Sequence, residues 1–132
     1  MPIAPEHLIS NPLELLHRNV HPLFVLDNRI TSQAFLLKKE DLGQLSVQQN
    51  SKASAKVAYE RYTALGYESA GIWSVTIAEC DELNLKVYDD PLDNDDSHSI
   101  VDLTAYSSKQ ARKLTDKLSR KAQDRGCQYK PL

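Results

Sequence analysis

Ala70-Gly71-Ile72-Trp73-Ser74-Val75-Thr76-Ile77 is the stretch that decides the fold class of this chain. β-branched and aromatic side chains dominate it. A period of two sets Trp73, Val75 and Ile77 on one face and Ile72, Ser74 and Thr76 on the other, so a strand with one face in a core is predicted. Trp73 is then a core anchor rather than a platform for a ligand. Before this strand, Ser51 or Ser54 caps a helix in which Ala55, Ala58, Tyr59, Tyr62 and Leu65 recur at steps of three and four, and Gly66 stops it. After it, Leu85-Lys86-Val87-Tyr88 and Ser99-Ile100-Val101-Asp102-Leu103 are two further strands joined by a long acidic loop. Ser107 and Gln110 have the spacing of a capping box. The helix they open carries an apolar stripe of Ala111, Leu114, Leu118 and Ala122, and Gly126 closes it before a last strand at Cys127-Gln128-Tyr129.

Upstream, Leu16, Arg18 and Val20 alternate in a strand that ends at His21-Pro22, although Asn11-Pro12 could also start a short helix here. Leu23 to Leu26 and Arg29 to Phe35 flank Asp27-Asn28, residues that tolerate a tight turn, and a β-hairpin is predicted. A polar loop follows up to Gly43, and Leu45-Ser46-Val47 is at most a short strand. Pro2, Pro5 and Pro12 mark residues 1–12 as an extended, partly disordered arm. Residues 13–132 then form one α+β domain, a mostly antiparallel sheet with two principal helices, without internal repeats.

The chain has 132 residues, 41% hydrophobic and 26% charged, enough for one buried core and too few for two. A large multidomain enzyme is excluded. No run approaches the roughly 18 apolar residues of a membrane helix, and Met1 to His7 lacks the blocks of a signal peptide. A cytoplasmic protein without a membrane partner is expected. Cys80 and Cys127 are the only thiols, which suits a reducing compartment and is too few for a CxxC-type metal site.

The net charge of -2 hides two opposed blocks. From Glu79 to Asp102 nine acids stand against Lys86 alone, giving -8. The last helix carries Lys109, Arg112, Lys113, Lys117, Arg120, Lys121 and Arg125 against Asp116 and Asp124, giving +5. Such a helix can follow a phosphate backbone, or its cations form the solvated face of an amphipathic helix. The two blocks could also face each other within the fold or across a dimer. The acidic loop does not fit an EF-hand: with Asp93 and Asp95 as first ligands, His98 takes the glycine position and Thr104 the glutamate position.

His17, Arg18, His21 and His98 are the other polar candidates. His17 and His21 share a face in either reading of their segment; with His98 they could hold zinc, or one could act as a general base beside Arg18 as an anion clamp. Neither a metal nor a cofactor is expected, because no HExxH, nucleophile elbow or Gly-rich phosphate loop is present.

Leu16-His17-Arg18 followed by Thr31-Ser32-Gln33-Ala34-Phe35 resembles the first two motifs of ADP-ribosyltransferase-type proteins. The resemblance implies an Arg on the first strand that holds cofactor phosphates, a Ser/Thr-Ser strand that shapes a nicotinamide pocket, and a Glu on the ribose, a place that Glu79 or Glu82 would take. Arg18 to Pro22, Ser32 to Phe35, Leu45 to Val47 and His98 to Asp102 are together similar to a pattern in small uncharacterised bacterial proteins, which implies a bacterial source and no activity.

Three functions follow as expectations. The first is a small accessory module that binds another protein through the acidic loop, the basic helix or the arm. The second is an enzyme acting on a phosphate-containing substrate, NAD or RNA, with Arg18 on phosphate and His21, His98 or Glu79 handling protons; it requires Arg18, His21 and His98 to converge on one concave pocket. The third is nucleic-acid binding through Lys109, Lys113, Lys117, Arg120 and Lys121.

Overall fold

A computed structural model describes residues 7–131. The run that decides the fold forms β5 (Gly71–Thr76), which pairs along its whole length with β1 (Leu15–Val20). With β4 (Gln44–Gln49), β6 (Lys86–Asp89) and β7 (His98–Asp102) these make a sheet in the order β5-β1-β4-β7-β6 with every pair antiparallel. Three helices, α1 (Ala55–Ala64), α2 (Ile77–Glu82) and α3 (Ser108–Arg125), complete the α+β domain.

Register assigns the faces. Leu16, Val20, Leu45, Val47, Trp73, Val75, Val87 and Val101 point one way and are buried. α3 covers this apolar face with Ala111, Leu118 and Ala122, its start fixed by the predicted capping box of Ser107 and Gln110. His17, Asn19, Ser46, Gln48, Ser74 and His98 point to the other face. There α1, capped by Ser54, lies over β1 and β5, and the Asn19 amide donates to the Ala58 carbonyl at 3.3 Å.

Several expectations need correction. Leu45 to Val47 belongs to a six-residue strand in the centre of the sheet; the polar Gln48 and Gln49 continue the alternation, with Gln49 buried and bonded to Asp89 at 2.6 Å. The hairpin at Asp27-Asn28 exists, with φ of 52° and 64° at its two turn residues. It is confined to β2 (Val25–Leu26) and β3 (Arg29–Ile30), a separate two-stranded sheet. Thr31 to Phe35 is irregular, because consecutive Ala34 and Phe35 both enter the core, which the alternation of a strand forbids. Ile77 opens α2 instead of ending β5: Thr76 and Glu79 form a capping box that turns the chain there.

Cys127 to Tyr129 contributes a single bridge, Ile72 to Tyr129, rather than a strand. At Gly71, with φ of 143°, an added Cβ would lie 2.4 Å from the Tyr129 carbonyl oxygen, so only glycine lets the tail approach β5. Residues 1–6 of the arm lie outside the described residues. Leu8 bridges Tyr88, and the Ile9 amide donates to Val87 at 2.9 Å, so the rest of the arm runs along β6.

Trp73 is 2% exposed in the centre of the apolar core. Trp73→Ala is expected to lower stability by about 3–5 kcal/mol, read from the midpoint and slope of urea unfolding.

Candidate functional site

α1 covers only the β1 and β5 side of the polar face. Beyond it the face opens into a cleft of about 480 Å³. Its floor is Arg18, Ser46, Gln48 and His98; its walls come from Arg61, Tyr62 and Tyr67, from Asn94 and Asp95 of the acidic loop, and from Lys38 and Asp41. A larger hollow of about 580 Å³ between residues 36–43 and the start of α3 is lined by leucines and scattered cations and contains no histidine or carboxylate. The cleft is where groups able to do chemistry converge.

Arg18 reaches the floor through a gap in the sheet. β1 and β4 pair only at Leu16 with Gln49 and His17 with Gln48, a register that would set Asn19 opposite Ser46. The strands part first, and Arg18 spans the opening: Nη1 donates to the Ser46 carbonyl at 2.9 Å and Nε to the Ala34 carbonyl at 3.3 Å. A guanidinium has five N–H groups, so three remain for the cleft. Among the described residues no carboxylate comes within ion-pair distance of Arg18. Burial pulls its pKa below the ordinary value, and the neighbouring Tyr62 and Asp41 offset part of that shift; a guanidinium remains cationic at neutral pH. Burial likewise pushes the Tyr62 hydroxyl up, against the pull of Arg18.

Ser46 and His98 are diagonal neighbours on the same face of β4 and β7, since Ser46 pairs with Ile100 and Gln48 with His98. That geometry brings Ser46 Oγ to 3.1 Å from His98 Nε2. The other ring nitrogen, Nδ1, lies 2.9 Å from the Asp90 carbonyl and 3.1 Å from Asp90 Oδ2. With the proton on Nδ1 donated to Asp90, Nε2 accepts from the Ser46 hydroxyl, the order of a nucleophile, a base and its orienting acid. A second Ser–His pair lies deeper on this face. His17 Nδ1 is 2.7 Å from Ser74 Oγ and its Nε2 is 2.9 Å from Asn50 Oδ1. Here both residues are sealed, His17 being 1% and Ser74 0% exposed, so this pair is structural.

The other candidates lie elsewhere. Arg18 and His98 meet in the cleft, but His21 does not join them. It caps the short 3-10 turn Pro22–Phe24, its Nδ1 accepting from the Leu23 amide at 3.1 Å, because Pro22 ends β1 and turns the chain away. His17, His21 and His98 therefore share no site, and among the described residues no group of three or more His, Cys, Asp or Glu is placed to hold a metal. Glu79 sits in α2, 2.7 Å from Arg125 Nη1. Burial pushes its carboxyl up, but hydrogen bonds from Arg125 and the Thr76 amide, with the charges of Arg125 and Lys121, outweigh this and hold it below the ordinary value.

Lys109, Lys113, Lys117 and Arg120 are exposed along α3, whereas Lys121 pairs with Glu82 at 3.0 Å and Arg120 with Asp116 at 3.2 Å. Among the described residues the two charge blocks form ion pairs only at α2. The acidic loop is paired instead with Lys52 and Arg61, and its Asp90 contacts His98. Sequence reasoning missed Ser46, Asp90, Lys38, Arg61 and Tyr62; the alternation of Leu45, Val47 and Gln49 against Ser46 and Gln48 was the available signal for the first.

No protein-family model, curated protein or solved structure matches this chain. Function is therefore argued from the cleft. No helix among the described residues is long and apolar enough to cross a membrane.

Burial holds the His17 imidazole below its ordinary pKa of 6.5, with Asn50 and Glu14 offsetting part of the shift. Between the folded value and that of the unfolded chain, the unfolded state binds more protons, so stability rises with pH across this window. His17 contributes fully above about pH 6.5 and loses its contribution as pH falls through the folded value. Unfolding midpoints measured across this window are expected to slope less steeply in His17→Gln than in the wild type.

Proposed function

We propose that the protein binds a phosphate-bearing small molecule in the cleft, with Arg18 as the clamp. The observation that carries this is the Arg18 guanidinium, fixed by two backbone carbonyls, free of any carboxylate partner among the described residues, and lining an open cleft. A buried guanidinium held in place is pre-organised for the oxyanions of phosphate, and the low local dielectric strengthens each charge-assisted bond. Lys38 lines the same cleft; of the two acids in its walls, Asp95 is paired with Arg61 at 3.0 Å and Asp41 accepts from the Lys38 amide at 2.7 Å. Tyr62 and Tyr67 of the cleft wall stack with centroids 4.9 Å apart at 26°, and a planar ring can extend such a stack. A nucleotide-like ligand suits this combination.

Calorimetric titration with a nucleoside monophosphate and with the unphosphorylated nucleoside tests the proposal. The phosphate form is expected to bind more tightly, and Arg18→Met to weaken it roughly 10- to 100-fold. Arg18→Lys keeps the charge but loses the fork and should recover only part of the affinity. Equal affinity for both compounds, or an indifferent Arg18→Met protein that still melts cooperatively, would refute it.

Lys109, Lys113 and Lys117 favour a second reading: spaced four apart and exposed, they make no ion pair among the described residues. On that reading the chain is an accessory module that docks an acidic partner protein through α3. Replacing the three lysines by glutamate should then lower the salt concentration that elutes the protein from heparin. Unchanged elution would discard α3 as a polyanion surface, and retention on DNA but not on an acidic peptide would favour nucleic acid instead.

A further inference from the structure

We propose that Ser46 and His98 are catalytic residues, that Asp90 positions His98, and that the cleft hydrolyses phosphate esters through a phosphoserine. This rests on the reading of the cleft as a phosphate site. Three observations carry it. Ser46 Oγ and His98 Nε2 are 3.1 Å apart on the floor of the cleft, within reach for proton transfer. The imidazole is fixed from behind by both acceptors of Asp90, and the Asp90 amide donates back to the His98 carbonyl at 3.0 Å, so loop and strand lock each other. Arg18, a cation of the cleft with no ion pair among the described residues, is anchored on the nucleophile's own residue, since its Nη1 donates to the Ser46 carbonyl. A phosphate held by Arg18 thus sits beside the Ser46 hydroxyl.

In the first step Ser46 Oγ bonds to phosphorus while the bond from phosphorus to the ester oxygen breaks. The Ser46 proton passes to His98 Nε2 and from there to the leaving alkoxide, which departs as an alcohol. Arg18 opposes the charge on the non-bridging oxygens. In the second step water attacks the phosphoserine, gives its proton to His98, and the phosphate leaves as Ser46 Oγ recovers that proton. Asp90 supports the transient imidazolium from the Nδ1 side. The sealed His17 and Ser74 pair provides an internal control, with similar spacing and no access.

The test uses the full chain and a fluorophosphonate probe, which transfers phosphorus to an activated serine with loss of fluoride. Intact-mass and peptide mass spectrometry should find one adduct, on Ser46. Ser46→Ala should abolish it and His98→Gln slow it at least ~100-fold. Asp90→Asn should slow it less, since the Asp90 carbonyl still orients the ring, and Ser74→Ala should leave it unchanged. Melting curves confirm that each variant is folded. Absence of an adduct in a wild type that binds the nucleoside monophosphate through Arg18 would overturn the relay and leave the binding reading intact. Labelling that survives Ser46→Ala would also overturn it. A Ser46 adduct that neither the nucleoside monophosphate nor Arg18→Met affects would support the relay while removing the phosphate clamp.

Discussion

Arg18 is the residue on which the arrangement of this protein depends. The centre of the sheet is a seam where β1 and β4 share only two residue pairs before they diverge. A guanidinium occupies the gap and turns backbone acceptors that would otherwise lack partners into anchor points. Leaving buried carbonyls unpaired costs free energy of the order of a lost hydrogen bond, and burying a cation without an anion costs more. Both costs are met by one side chain that satisfies carbonyls on one side and presents its remaining donors to a polar cleft on the other. Strand divergence, cleft and cation are therefore one feature.

The two faces of the sheet divide the work. The apolar face, closed by α3 and the irregular segment through Phe35, supplies burial. The polar face is closed by α1 only over β1 and β5, where His17, Asn19 and Ser74 are satisfied internally. The same residue types under the open half, Ser46 and His98, face the cleft instead. The two pairs differ in the partner behind the imidazole, Asn50 for His17 and Asp90 for His98, and in exposure. Access separates them, and the placement of α1 over β1 and β5 sets access.

Much of the fold was legible because it rests on local patterns: the alternation through Trp73, the capping box at Ser107 and the turn residues Asp27 and Asn28. The errors arose where a local pattern served a tertiary purpose. Thr31 to Phe35 is strand-like in composition but plugs the core, and the β-branched run through Thr76 and Ile77 concealed the capping box that opens α2. The site was half legible. Arg18 and His98 stood out by residue type, whereas Ser46, 52 residues from His98 in sequence, joins it only through the β4–β7 register. His21 looked equivalent to His98, and a proline beside it sent it elsewhere.

The two edges of the sheet share a device. A bare edge strand offers unpaired amides and carbonyls to any other strand. At β5 the tail answers through the Ile72 amide on the Tyr129 carbonyl at 2.8 Å and the Gln128 amide on the Ile72 carbonyl at 2.8 Å. At β6, residues of the arm do the same from the opposite end of the chain through the Ile9 amide on the Val87 carbonyl. The segments at Leu8 and Ile9 and at Gln128 and Tyr129 thus each cover part of a sheet edge that another strand could otherwise pair with. An affinity tag or truncation that displaces either one would threaten solubility before it touched the cleft.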